Sequence, residues 1–275
     1  MQTARTVAQA RALFGASPRP LGFVPTMGAL HAGHLELVRR ARQTCAAVAV
    51  SIFVNPLQFG PNEDLAAYPR DESGDRRKLA DAGVDTLFVP DAAEMYHPDF
   101  TSYVDIGPLG EILEGAVRPH HFRGVATVMA KLLNIVRPDA LFLGQKDAQQ
   151  AAILRKMIFD LNVPVELETV PTVRERDGLA MSSRNGYLDA QRRAQAPTLY
   201  RALLATRDAL SGGASKPDAI AAGAAVLSPA ARLDYLEVVD ATTFAPLEPP
   251  RSPALIVGAA RFGSTRLIDN VELSA

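Results

Sequence analysis

Two histidines three residues apart, set among glycines, are the first feature of this chain that reads as chemistry. They lie in Pro25-Thr26-Met27-Gly28-Ala29-Leu30-His31-Ala32-Gly33-His34, where an apolar β-type run gives way to a helical pattern. Gly28 and Gly33 let the backbone come close to a ligand. Amides at the start of a helix favour an anion, and His31 and His34 add imidazole donors. Two alternative uses stand beside this one. The pair is suited to a metal, although no third ligand is obvious nearby, and the segment also reads as a plain turn with surface histidines.

A second polar segment runs Thr172-Val173-Arg174-Glu175-Arg176-Asp177-Gly178-Leu179-Ala180-Met181-Ser182-Ser183-Arg184-Asn185. Ser182, Ser183 and Arg184 put two hydroxyls and a guanidinium on one short loop, a set that can hold phosphate oxygens. Taken singly, it reads more readily as an Asp-Gly turn followed by a helix start.

Such residues need elements to position them. Residues 20–25, 46–54, 84–90, 138–144 and 163–170 read as strands; residues 34–44, 71–82, 122–136 and 147–161 read as helices. The run AAVAVSIFV lacks alternation, which suits a strand covered on both faces of a parallel sheet. The expected fold is α/β, an open and mostly parallel Rossmann-like sheet with ligands beyond the carboxyl ends of its strands. Residues 1–15 read as a polar-capped helix. From about residue 186 the character changes: residues 189–229 read as two helical stretches around the break SGGASKP. Three alternating runs at 233–241, 253–262 and 265–273 then suit an antiparallel sheet. We divide the chain into 1–176, the domain of the parallel sheet, and 177–275, a smaller α+β domain.

Composition narrows the classes. The chain has 275 residues, 29 basic and 30 acidic, for a net charge of -1. No basic excess is available for a nucleic-acid backbone. No stretch approaches the roughly 20 apolar residues of a membrane helix, and the start lacks a signal-peptide core. One cysteine, Cys45, excludes an internal disulfide and reads as buried packing. His97 reads as surface loop. A cytoplasmic protein handling small molecules, without nucleic-acid or membrane partners, is expected.

A HAGH motif after the first strand and an MSSR loop after a later one resemble the HIGH and KMSKS pair of the nucleotidylyltransferase superfamily. That resemblance implies attack of a nucleophile on the α-phosphate of ATP, with pyrophosphate leaving. Three further blocks resemble the pantothenate synthetase family: SIFVNPLQFGPNEDLAAYPR (51–70), LEGAVRPHHFRGVATVMAKLLNIVRPD (113–139) and FLGQKDAQQ (142–150). DGLAMSSRNGYL (177–188) resembles it too. Across residues 20–190 the blocks keep that family's order and spacing.

The family resemblance implies ATP-dependent condensation of pantoate with β-alanine through a pantoyl-adenylate. Met27 to His34 would line the ATP site with Gly144, Gln145, Lys146, Asp147, Val173, Met181, Ser182, Ser183 and Arg184. His34, Lys146, Ser182 and Arg184 would act on the reacting phosphates. Gln58 and Gln150 would hold pantoate, Gln58 would also meet β-alanine, and Asn55 is a plausible neighbour. Asp147 has three open uses: binding ribose, ordering Lys146, or helping to hold Mg²⁺, which is expected to accompany ATP. Gln145 stands where many relatives carry Glu. Arg118, His120, His121 and Arg123 read either as a wall near pyrophosphate or as a solvated approach to a helix. The family also implies a homodimer.

Competing functions are nucleotidyl transfer to a phosphorylated acceptor, a tRNA-binding synthetase relative, and a non-catalytic nucleotide sensor. Near-neutral charge and the absence of an anticodon-binding extension argue against the second. Retention of both phosphate-binding loops argues against the third.

Overall fold

A computed structural model describes residues 1–61, 63–227 and 230–273. The chain divides into two compact units, residues 1–144 with 153–170, and residues 145–152 with 171–275. The sequence-based boundary at 176/177 falls a little later than the start of Pro171, and residues 145–152 join the second unit.

The first unit opens with β1 (Gln2–Ala4), α1 (Val7–Gly15), β2 (Leu21–Thr26), α2 (Ala32–Thr44) and β3 (Ala47–Ile52). Then follow α3 (Glu72–Asp81), β4 (Thr86–Phe88), two single-turn helices, α4 (Ala92–Met95) and α5 (Glu114–Val117), and the long α6 (His121–Val136). β5 (Ala140–Gly144), the later part of α7 (Ala148–Asp160) and β6 (Glu166–Val170) complete it. The six strands form one sheet in the order β1-β4-β3-β2-β5-β6, and every pairing is parallel. From β2 the chain works outward through β3 and β4 in one direction, then through β5 and β6 in the other. The order therefore reverses between β2 and β5, where an α/β sheet opens its crevice. β2 runs directly into the His31–His34 turn.

Every residue of β3 is buried, as its unbroken apolar sequence requires of an internal parallel strand. Val24, Val48, Val50, Leu87 and Phe142 from the strands meet Leu37, Val38 and Ala41 of α2 in one core. Cys45 packs against that core, and burial pushes its thiol pKa up, which keeps it an inert packing residue. The expected N-terminal helix starts later than the sequence pattern suggests. Gln2–Ala4 instead form an edge strand in register with Thr86–Phe88, and the helix is capped at Thr6 by a capping box with Gln9. Three residues are too few for alternation to reveal a strand.

The second unit carries α8 (Ala190–Gln195), α9 (Thr198–Ser211), α10 (Lys216–Leu227) and an antiparallel sheet of β7 (Arg232–Asp240), β8 (Ala254–Phe262) and β9 (Thr265–Leu273). The three alternating runs are thus strands, β9 with the limits read from its sequence. Residues 189–229 hold three helices rather than two, interrupted at Ala196-Pro197 as well as at the SGGASKP break; residues 228 and 229 lie outside the described chain. Leu199, Ala202 and Leu203 of α9 pack on Ala260, Ile256 and Leu267 of the sheet in two adjoining clusters. No helix among the described residues is long and apolar enough to cross a membrane.

Candidate active site

In the first unit the turn after β2 is built around two consecutive residues of positive φ, Gly28 at 82° and Ala29 at 50°. Glycine adopts this region freely, whereas alanine there carries a conformational cost. A buried carboxylate offsets it: Asp75 of α3, 1% exposed, accepts the amide protons of Ala29 (2.7 Å) and Leu30 (2.8 Å). Lys78 Nζ closes the arrangement on the Leu30 carbonyl at 2.7 Å. These two amides lie ahead of the helix start, and their acceptor is a protein carboxylate.

The histidines begin α2. His31 is its N-cap and accepts the Gly33 amide proton on Nδ1 at 3.2 Å; His34 Nδ1 accepts the His31 amide proton at 3.4 Å. The rings lie 4.1 Å apart. With Nδ1 of each ring accepting a backbone proton, the neutral tautomer carries its proton on Nε2. Capping therefore makes each histidine a donor at Nε2. Both histidines thus serve the helix start, and the same capping bonds orient their Nε2 donors.

Gln58 closes the short 3₁₀ turn Pro56–Gln58. Its Oε1 accepts from Asn55 Nδ2 at 3.1 Å, and its Nε2 lies 3.0 Å from Met27 Sδ. Asn55, 1% exposed, also donates to the Gly124 carbonyl and accepts from Tyr96 Oη at 2.7 Å. Beside it, Arg118 pairs with Glu63 at 2.5 Å, and His121 Nδ1 lies 2.9 Å from the Gln58 carbonyl. Burial, reinforced by the Arg118 guanidinium, pushes the His121 pKa down to about 4. His121 is thus a neutral, buried donor to the Gln58 backbone, Arg123 covers the Tyr103 ring, and His120 is exposed. Arg118 and His121 are structural partners of the Gln58 turn rather than a solvated approach.

In the second unit Gln145–Asp147 form a 3₁₀ turn at the entry to α7. Lys146 Nζ donates to Asp147 Oδ1 at 3.1 Å, an ordering of Lys146 by its neighbour. Gln150 is half-buried on the first turn of α7. Val173 and Met181 face each other across a hairpin, with Met181 N–H donating to the Val173 carbonyl at 3.0 Å. Ser182 caps the 3₁₀ turn Ser183–Tyr187, its Oγ accepting from Arg184 N–H at 3.3 Å. Lys146 and Ser182 line one recess, together with Tyr200 and Asp269. Two candidate catalytic residues, 36 positions apart by their numbers, thus border the same recess.

His97 is exposed near Asp99, as its loop position suggested. Among the described residues, no three His, Cys, Asp or Glu side chains gather as metal ligands.

Similarity to known proteins decides the family. A family model described as pantoate-beta-alanine ligase matches residues 1–272. The chain belongs to the pantoate-β-alanine ligase family. A pantothenate synthetase of Chloroflexus aurantiacus is 53% identical over 277 aligned positions, covering 98% of this chain and 97% of that protein. A crystal structure of pantothenate synthetase from Thermus thermophilus superposes with a TM-score of 0.96 at 51% identity, covering all of both chains. The pantoate-β-alanine ligase from Francisella tularensis, whose structure is described as complexed with β-γ ATP and β-alanine, gives a TM-score of 0.84 at 32% identity, covering 100% of this chain and 98% of that one. The α/β architecture with its separate antiparallel sheet is therefore the family's fold.

Within this ligase family member, several supporting residues carry no signal in sequence. Asp75 sits in the charged run DESGDRRK, which reads as a solvated helix face. Asp269 and Asn270 sit in a strand whose alternation explains only its packing.

Proposed function

We propose that the chain condenses pantoate with β-alanine at the expense of ATP, releasing AMP and pyrophosphate. Membership of the family along residues 1–272 carries this reading. The pantoate carboxylate attacks the α-phosphate to give pantoyl-adenylate, and the β-alanine amine then attacks the activated carbonyl with AMP leaving. Activation is needed because a free carboxylate offers no adequate leaving group.

The chemistry assigned to each group follows from its donors. His34, with Nδ1 committed to capping, presents Nε2–H to a phosphate oxygen as charge develops there. His31 acts beside it. Lys146, Ser182 and Arg184 engage the leaving pyrophosphate through an ammonium, a hydroxyl and a guanidinium; Lys146 and Ser182 border one recess. Met27 to Gly33, Gly144, Gln145, Asp147, Val173, Met181 and Ser183 complete the nucleotide-binding set. Gln58 and Gln150 bind pantoate, and Gln58 also meets β-alanine; amides bind a carboxylate and hydroxyls without a cation that would weaken the nucleophile. Asp147 is the carboxylate that would help to hold an Mg²⁺ ion accompanying the nucleotide, where the ion would neutralise charge on the phosphates. We assign the first unit to nucleotide and pantoate binding, the second to a lid, and the active form to a cytoplasmic homodimer.

Product analysis tests the reaction. With ATP and pantoate alone, pyrophosphate forms and AMP stays bound as adenylate; adding β-alanine releases AMP in step with pantothenate. Pyrophosphate release driven by a phosphorylated acceptor, and not by pantoate, would assign nucleotidyl transfer instead.

A further inference from the structure

The turn that carries Lys146 is held from outside by one side chain of β9. Asn270, 4% exposed, donates through Nδ2 to the carbonyls of Gln145 (2.8 Å) and Lys146 (3.1 Å). Its Oδ1 lies 3.4 Å from Gln145 Nε2. Both amide ends of Asn270 are therefore engaged by a single 3₁₀ turn. The preceding residue, Asp269, receives the Arg174 guanidinium at 2.6 and 3.0 Å. Arg174 also donates to the Gly178 carbonyl at 3.1 Å and lies 3.8 Å above the Tyr200 ring. Arg174 pairs with Ala180 in the hairpin that leads into Met181 and Ser182.

We infer that Asn270 is a positioning residue for Lys146, fixing the Gln145–Lys146 backbone so that the ammonium group is held for ATP; Asp269, through Arg174, braces the Ser182 hairpin from the same strand. The inference rests on the ligase reading given above. A buried amide spanning two successive carbonyls sets both the height and the rotation of the turn. Lys146 has several rotatable bonds, so its ammonium is placed by a fixed backbone together with the Asp147 carboxylate that accepts from it at 3.1 Å. Neighbouring residues on one strand thus serve two segments distant in sequence, and β9 acts as their common ruler.

The test is a double-mutant cycle read by pantoate-dependent ATP–pyrophosphate exchange on the full chain. Asn270→Ala should lower kcat by about 10- to 100-fold, the size expected when a reacting group is displaced by roughly an ångström. The same substitution in a Lys146→Ala background should have little further effect, because the group it places is gone. In a Ser182→Ala background it should keep most of its effect. An equal loss in the Lys146→Ala background, or wild-type kcat with only a lowered Tm, would overturn the positioning role. Should Asn270→Ala fail to fold, Asn270→Ser, which keeps one donor, carries the same cycle with the same criteria. Wild-type protein without pantoate-dependent exchange would refute the ligase reading itself, so the two failures are distinguishable.

Discussion

Asn55 donates to Gln58 Oε1 over 3.1 Å and thereby decides which end of the Gln58 amide is nitrogen. Asn55 is itself locked, because its Oδ1 accepts from Tyr96 and its Nδ2 also reaches the Gly124 carbonyl. Asn55→Asp keeps the shape but offers only acceptors to Gln58, so the Gln58 amide turns over. Steady-state kinetics should show the pantoate KM rising about tenfold, equivalent to one good hydrogen bond, with a smaller change in the ATP KM. An unchanged pantoate KM would separate Gln58 from pantoate.

Gly124 permits α6 to lie against the Gln58 turn. A Cβ at this position would stand 2.1 Å from the Leu57 carbonyl oxygen and 2.7 Å from the Gln58 nitrogen, both backbone atoms. Gly124→Ala should destabilise the protein by about 2–3 kcal/mol, as overpacking does, and raise the pantoate KM. Chemical denaturation and kinetics on one preparation check both, and wild-type values in both would contradict the packing argument.

Removing Asp75 leaves the Ala29 and Leu30 amides without their acceptor. Each bond to a carboxylate contributes about 1.5–3 kcal/mol, so Asp75→Ala should cost on the order of 3 kcal/mol in urea denaturation. The turn bearing His31 should loosen, with kcat falling as well. Asp75→Asn, which retains an acceptor oxygen, should recover part of each loss. Equal behaviour of the two variants would show that an acceptor oxygen at this position does not hold the turn.

Neutral His121 gives stability a pH dependence. The folded protein holds its pKa at about 4 against an ordinary 6.5. Between those values the unfolded chain binds a proton that the folded one refuses, so stability rises with pH through the window and is lost as pH falls from 6.5 towards 4. The full effect is on the order of 3 kcal/mol. In His121→Asn the same window should lose this slope while an amide donor still faces the Gln58 carbonyl. A wild-type curve parallel to that of the variant would show that His121 titrates normally.

The strands and helices that position the site were legible because their patterns are long. AVAVSI announces a buried parallel strand, and the run after residue 34 announces a helix face. The edge strand Gln2–Ala4 was not legible, since three residues carry no period and only pairing with β4 makes it a strand. Within the site, His34 and Lys146 stand out by type and by the turns that carry them. Asp75 and Asn270 do not, because a carboxylate in a charged helix and an amide in a polar-flanked strand look solvated until the fold buries them. Their contribution is to hold backbone groups at distant positions, which local patterns do not encode.

The central claim is activation of pantoate on ATP with His34 at the phosphate, and isotope exchange between pyrophosphate and ATP measures it most directly. Wild-type protein should exchange label only when pantoate is present, without any need for β-alanine. His34→Ala should lose most of that exchange, on the order of the 100- to 1,000-fold seen when one charge-stabilising donor is removed, with little change in either substrate's KM. Exchange independent of pantoate would contradict the account of the reaction, and near-wild-type kcat in His34→Ala would contradict the role of the histidine.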